Sequence, residues 1–168
     1  AGMVVSVNVG APNAPFSASP WTDGTIMPLA TGFKWPVAAK FNPAGVLHVL
    51  DQTGEVFKID VKTGAKTLFV TLQDGLDNLV FDASGTMYVS NADHGWITEV
   101  QPGGQTKIIS KGGMISPMGL AVLQGTNNQD ALFVADLFRL RELNGSTGQE
   151  LSVEKGYLLP EPNKLTTP

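Results

Sequence analysis

Apolar and polar residues alternate in short runs along most of the chain, and glycine, proline, asparagine and aspartate divide the runs. "VLHVLD", "EVFKID" and "KTLFVT" are each too short for a helix and carry strand-like apolar content. No 3.6-residue apolar period competes with them over any length. The segments between runs, such as "DVKTG", "QPGG" and "NGSTG", are hairpin turns with glycine available for positive φ. The pattern predicts many short antiparallel strands.

The pattern also repeats. "FNPAGVLHVLD" at 41–51 and "FDASGTMYVSN" at 81–91 share one layout, with Phe41 and Phe81, Gly45 and Gly85, and Val49 and Val89 each forty residues apart. A third copy, "GLAVLQGTNNQDALFVAD", covers 119–136 and takes its extra length in the turn, where insertion is tolerated. After each copy come a short loop, a strand, a glycine-bearing turn and another strand. One unit is therefore four strands, a to d in chain order. In the first unit they fall at about Val37–Phe41, Val46–Leu50, Glu55–Asp60 and Lys66–Thr71. Four strands in about forty residues predict an all-β fold, a β-propeller of four-stranded antiparallel blades. A β-sandwich would show turns at similar spacing but has no reason to repeat the phrase. The units are placed at 35–73, 74–113 and 114–155. Residues 1–34 read as a partial blade, with "MVVSVNVG" and "TIMPLATG" as strands around a loop rich in Pro, Ser and Ala. Residues 156–168 read as a connection toward a further blade. Three units are few for a closed ring. The readings are a fragment of a longer propeller, a half-ring completed to six or more blades by a second copy, or a small ring whose terminal strands share a blade. A fragment or half-ring is the expectation.

"LDNLVFDASGTMYVSN" resembles the blade signature of the NHL-repeat, streptogramin-lyase and gluconolactonase-like propellers. "WPVAAKFNPAGVLHVLD" and "SPMGLAV" with "ALFVAD" follow it more loosely, over about residues 35–151. For the gluconolactonase-like members the resemblance implies a divalent metal held partly by an Asn of the signature. Alignment on Phe81 puts Asp77 at that position and Asn78 beside it, whereas the other units have Val37 and Met118 there. For the streptogramin lyases it implies a histidine-bearing, Mg²⁺-dependent site.

Strand direction places the b–c loops and the d-to-a connections at one end. That end gathers Asp51, Gln52 and Thr53, then Asn91, Asp93 and His94, then Asp136, with Trp35, Asp74, Asp77, Asn78, Ser116 and Met118. Such oxygen donors suit Ca²⁺ or Mg²⁺. Asp51, Asn91, Asp93 and Asp136 are candidate ligand-binding residues, although Asp and Asn at strand ends also cap loops by accepting backbone N–H bonds. His94 is the candidate general base. His48 lies inside a strand and reads as structural. Arg139, in a charged patch with Arg141 and Glu142, is a candidate anion contact or an ion-paired edge.

Composition narrows the functions. The chain is 42 % hydrophobic and 15 % charged, with net charge −4, so there is no basic stripe for nucleic acid. No cysteine is present, which excludes disulfides, thiol catalysis and zinc–thiolate sites. No run of 18 apolar residues suits a membrane helix. Nucleotide-binding and serine-hydrolase motifs are missing. Low charge, no cysteine and an Ala start suggest a secreted or periplasmic protein. The expected function is a ligand- or protein-binding scaffold. The alternatives are a metal-dependent lactonase or lyase, and a self-assembling half-propeller.

Overall fold

The computed structural model describes residues 2–7, 26–125 and 130–155, and none of these is helical. A two-stranded sheet joins β1 (Gly2–Val7) and β2 (Ile26–Phe33). Three four-stranded antiparallel sheets follow in simple meander order. Blade 1 holds β3 (Pro36–Phe41), β4 (Leu47–Asp51), β5 (Glu55–Ile59) and β6 (Lys66–Thr71). Blade 2 holds β7 (Leu76–Phe81), β8 (Met87–Asn91), β9 (Trp96–Val100) and β10 (Thr106–Lys111). Blade 3 holds β11 (Pro117–Leu123), β12 (Ala131–Asp136), β13 (Arg139–Asn144) and β14 (Glu150–Lys155). The architecture is that of a β-propeller, present as an arc.

In blades 1 and 2 the second strand is buried on both faces, and β4 and β8 are buried at every position. Leu47 and Val49 face the β1–β2 sheet, in a core with Phe33 and Phe57. Leu50 and Val56 face blade 2 and meet Leu79, Met87 and Val89. Tyr88 and Ile97 face blade 3 and meet Leu120, Leu132 and Val134. The cores are thus shared between neighbouring blades, as a radial stack of sheets requires.

Turn packing fixes the place of the N-terminal sheet. Gly148, in the turn after β13, has φ +70°, and a Cβ there would meet the Ile109 carbonyl oxygen of blade 2 at 2.0 Å. Gly64, in the matching turn of blade 1, has φ +74° and stands in the same way against the Leu29 carbonyl, at 2.1 Å. Ile109 lies on the fourth strand of its blade, so β2 stands where the fourth strand of a preceding blade would. β1 and β2 are therefore an outer strand pair. The stretches read as the N-terminal loop and the C-terminal connection lie outside the described residues.

The four strands of blade 1 sit within a residue of those expected, with one informative shift. Asp51 belongs to β4 and pairs with Pro36, where the sequence placed it in the following loop. Its side chain holds the entry to β3, which extends the ladder to include it.

His48, Tyr88 and Phe133 share one register position, and each is aromatic. His48 is 2 % exposed, and its ring lies 5.5 Å from that of Phe69 and 5.0 Å from that of Phe81 of blade 2. Its Nδ1 lies 3.0 Å from the Val46 carbonyl. Burial lowers its pKa, outweighing that bond, and Lys58 adds to the depression. The unfolded chain therefore takes up a proton that the folded chain refuses. Stability should be flat above about pH 6.5 and fall as pH drops below it. Denaturant melts from pH 8 to 5 should show this slope, and His48→Phe, which keeps the ring packing, should flatten it.

Candidate functional site

The antiparallel order brings the b–c loops and the connections into each first strand to one end of the arc. There each blade ties the two together through the last residue of its second strand. In blade 1 the Asp51 carboxylate is fully buried. It accepts the N–H groups of Lys34 at 2.8 Å, Trp35 at 3.0 Å and Thr53 at 3.2 Å, and the Thr53 hydroxyl at 2.8 Å. In blade 3, Asp136 accepts the N–H groups of Ile115 and Ser116 and the Arg141 guanidinium, each at 2.8 Å. Burial acts to raise both carboxyl pKa values. The hydrogen bonds outweigh it, led by Trp35 for Asp51 and Ser116 for Asp136, and hold both below the usual carboxylate value.

Blade 2 uses Asn for the same task, because its connection presents carbonyls instead of N–H groups. Asn91 Nδ2 donates to the backbone oxygens of Gln73 at 3.3 Å and Asp74 at 2.7 Å, which a carboxylate cannot do. Its Oδ1 accepts the His94 N–H at 2.9 Å and lies 3.0 Å from His94 Nδ1. The His94 ring stacks on Trp96 with centroids 4.7 Å apart. His94 Nε2 has no hydrogen bond among the described residues.

The other sequence candidates divide. Asp93 is exposed beside the Gly75 backbone, at the same end as Asn91 and His94. Asp77 is half-buried, and burial raises its pKa. Asn78 donates its N–H to Ser90 Oγ at 3.1 Å, and its Oδ1 accepts the Leu79 N–H at 2.9 Å. Ser90 in turn donates to the Met118 carbonyl, at 2.7 Å, so this pair sits at the junction of blades 2 and 3. Among the described residues no three His, Asp or Glu side chains come together in a group that could hold a metal ion. Asn78 Oδ1 is already engaged by the Leu79 N–H, and Asp77 belongs to no such group among the described residues.

Arg139 is half-buried and stands opposite Asp136 in the ladder. The ion pairs of this hairpin belong to Arg141, which is 5 % exposed and bridges Asp136, Glu150 and the Gly113 carbonyl. Sequence reasoning read Arg141 as part of a salt-bridged or solvated edge; the salt bridges are there, but its burial was not foreseen. Register would have found it: it pairs with Val134 as Phe57 pairs with Val49 and Thr98 with Val89, all buried positions.

Two further features were missed. The β12–β13 loop has only two residues, Leu137 and Phe138, and Leu137 has φ +52°. A left-handed backbone at a branched residue costs on the order of 1 kcal/mol. The strained tip leaves Leu137 47 % and Phe138 61 % exposed, and Trp35 at the same end is 66 % exposed. At the opposite end, between blades 2 and 3, a cavity of 530 Å³ is lined by Asp82, Tyr88, Glu99, Lys107 and Asp130 among others. Burial, then the charges of Asp82, Glu99 and Asp130, push the Tyr88 phenol well above its usual range. Asp82 and Asp130 there are engaged within their own turns.

The fold is shared with solved propellers. Virginiamycin B lyase from Staphylococcus aureus aligns over 84 % of this chain and 48 % of its own, at TM-score 0.64 and 15 % identity. An auxiliary nutrient binding protein from Bacteroides thetaiotaomicron aligns over 76 % of this chain and 37 % of its own, at TM-score 0.64 and 18 % identity. A streptogramin B lyase aligns over 83 % and 45 %, at TM-score 0.58 and 13 % identity. The chain thus spans about half, or less, of the length of these neighbours. No family model matches the sequence, and no curated protein matches it. The likeness establishes the fold, a propeller of the kind seen in streptogramin B lyases, here in part.

Removing a cap should cost more in blade 3 than in blade 1. Asp51→Ala strands backbone donors and should lose roughly 2–3 kcal/mol. Asp136→Ala also leaves the Arg141 charge without its buried partner and should lose about 3–5 kcal/mol. Guanidinium unfolding of the two variants checks the order, and adding Arg141→Met should recover part of the second loss.

Proposed function

We propose that the chain is a binding scaffold whose recognition surface is the end where the b–c loops gather. One observation supports this above others. In blades 1 and 2 the cap holds an exposed ring beside it, and in blade 3 an exposed apolar tip follows the cap directly. Asp51 holds the backbone of Trp35, Asn91 holds His94 on Trp96, and Leu137 and Phe138 come next in the chain after Asp136. Polar groups spent on the backbone cannot also bind a ligand strongly, so recognition falls to the exposed rings. Rigid rings of this kind stack on flat apolar faces at little entropic cost. The likeness to a nutrient binding protein supports the same reading.

The test uses a glycan array and a displayed random-peptide library as probes. Hits should weaken at least tenfold for Trp35→Ala or Phe138→Ala. Hits indifferent to both variants would overturn the reading.

A second reading is lyase chemistry with His94 as general base. It is supported by the Asn91 contact, which orients the imidazole, and by Nε2, which has no hydrogen bond among the described residues. The Staphylococcus aureus lyase is inactive when a histidine is replaced by alanine, in a structure that holds quinupristin. Incubation of this chain with quinupristin and Mg²⁺, followed by mass spectrometry, decides the point. Cleavage lost in His94→Ala supports it, and an intact substrate excludes it.

A further inference from the structure

Blades 2 and 3 part at the end away from the b–c loops, around the cavity of 530 Å³. Cavities of about 300–1,000 Å³ hold small organic ligands, and a single ion needs far less room. One wall is a cross-strand row of blade 2. In it Tyr88 of β8 stands opposite Glu99 of β9, and Glu99 opposite Lys107 of β10. The other wall comes from the turns of blade 3 and carries Gln124, Asp130 and Ser146.

The same row in blade 1 is built otherwise. There His48 stands opposite Lys58, and the rings of Phe69 and Phe81 lie against His48. Phe69 is the unpaired residue of the bulge in β6, and its counterpart in β10 is Ile109. Phe81 pairs with Met87 as Val122 pairs with Leu132. Where one junction has two aromatic rings, the next has Ile109 and Val122 in the cluster around Tyr88, and polar side chains border the space beside them.

The hydrogen-bonding capacity of this lining is not used up within the protein. Glu99 and Lys107 face each other in the ladder, yet among the described residues they form no ion pair, and the Lys107, Gln124 and Ser146 side chains make no hydrogen bond. Asp130 gives Oδ1 to the Gly125 N–H and keeps Oδ2. Asp82 gives Oδ1 to Ser84 and Thr86, and its Oδ2 is met by the Tyr88 hydroxyl at 3.4 Å. That contact is stretched, since a formed O–H···O bond measures about 2.7–2.8 Å. Tyr88 is 4 % exposed, so its phenol is a buried donor held short of a full bond. Burial and the nearby carboxylates keep it protonated.

These groups select the occupant. An anion would meet Asp82, Glu99 and Asp130 together. A compact cation would meet the Lys107 ammonium and leave the Tyr88 and Gln124 donors unmatched. A metal ion lacks a ligand set, because no three such side chains come together among the described residues. A neutral ligand with adjacent hydroxyls suits donors and acceptors alike, since each hydroxyl both gives and takes hydrogen bonds. We infer that the cavity between blades 2 and 3 binds a neutral polyol of monosaccharide size, with Glu99 and Asp130 accepting from its hydroxyls and Tyr88 and Lys107 donating to them. The site is separate from the loop end and does not depend on what binds there.

Titration calorimetry of the 168-residue chain against a panel of free hexoses and myo-inositol tests this. At least one should bind with Kd on the order of 1 mM or below. Lys107→Met and Glu99→Gln should each weaken it at least tenfold, because each removes a charged hydrogen-bonding partner. Tyr88→Phe, which keeps the ring, should weaken it too, and Trp35→Ala should leave it unchanged. Lys107 is exposed, so Lys107→Met should keep the unfolding midpoint; if Glu99→Gln lowers it, Gln124→Ala takes its place. Glycan-array hits lost in Lys107→Met but kept in Trp35→Ala would support this site and count against the loop end. Binding that falls only with Trp35→Ala would overturn this site and leave the loop end standing. Silence from the whole panel, or putrescine or inorganic phosphate binding in place of the polyols, would also overturn it.

Discussion

The structure depends on a buried carboxylate or amide at the end of each second strand. Without it, the chain entering the first strand would leave backbone groups unpaired at a crowded place, at a cost of one to several kcal/mol. With it, the connection is fastened to its own blade. Asp51 and Asp136 do this by accepting N–H groups, and Asn91 by donating to carbonyls. The change from Asp to Asn follows the chemistry presented by the connection, not its position in the repeat.

The same fastening explains why the site is apolar at its tips although its sequence is rich in oxygen donors. A carboxylate with three or four donors has little capacity left for a ligand. What stands exposed beside the caps is the Trp35 indole, the His94 imidazole, and the Phe138 phenyl ring on a strained two-residue turn. Blade 3 carries this furthest. Asp136 is shared between backbone and Arg141, and Arg141 reaches on to Glu150 and the Gly113 carbonyl. A charge buried in this way is tolerable only with every partner in place.

Much of the fold was legible in the sequence, because the repeat encodes turns and two-sided burial, both of which depend on residue type at fixed spacing. The strands of blade 1 were placed within a residue. Asp51 fell on the wrong side of a boundary because a cap and a loop residue look alike until their partner is known, and that partner, Trp35, is sixteen residues away. The loop end was legible as a gathering of Asp51, Asn91, Asp93, His94 and Asp136, since strand direction alone places it. What those side chains do was not, because a hydrogen bond to a distant N–H leaves no trace in composition. Arg141 shows the limit from the other side. Its ion pairing was among the readings of the charged patch, but its burial was not, although its register with Phe57 and Thr98 already marked a buried position.

The caps and the blade faces use different parts of each blade, and this separates them physically. The caps act within a blade, between its second strand and the connection that precedes its first. Packing acts between blades, through faces such as that of Leu50, Val56, Ser90 and Ile97. Burying an apolar face contributes about 25 cal/mol per Å² removed from water and is indifferent to the loops at the blade ends. A charge placed on the outer face of blade 3 therefore leaves Trp35 and His94 where the caps hold them. Loss of Asp136 does the reverse, disturbing the entry to β11 and the Phe138 tip while Leu123 and Leu140 keep their apolar character. The loop end can vary in sequence as long as the faces stay apolar, and the repeat shows that division: aliphatic residues persist at Leu47, Met87 and Leu132, while the tips run from Gln52 and Thr53 to His94 to Phe138.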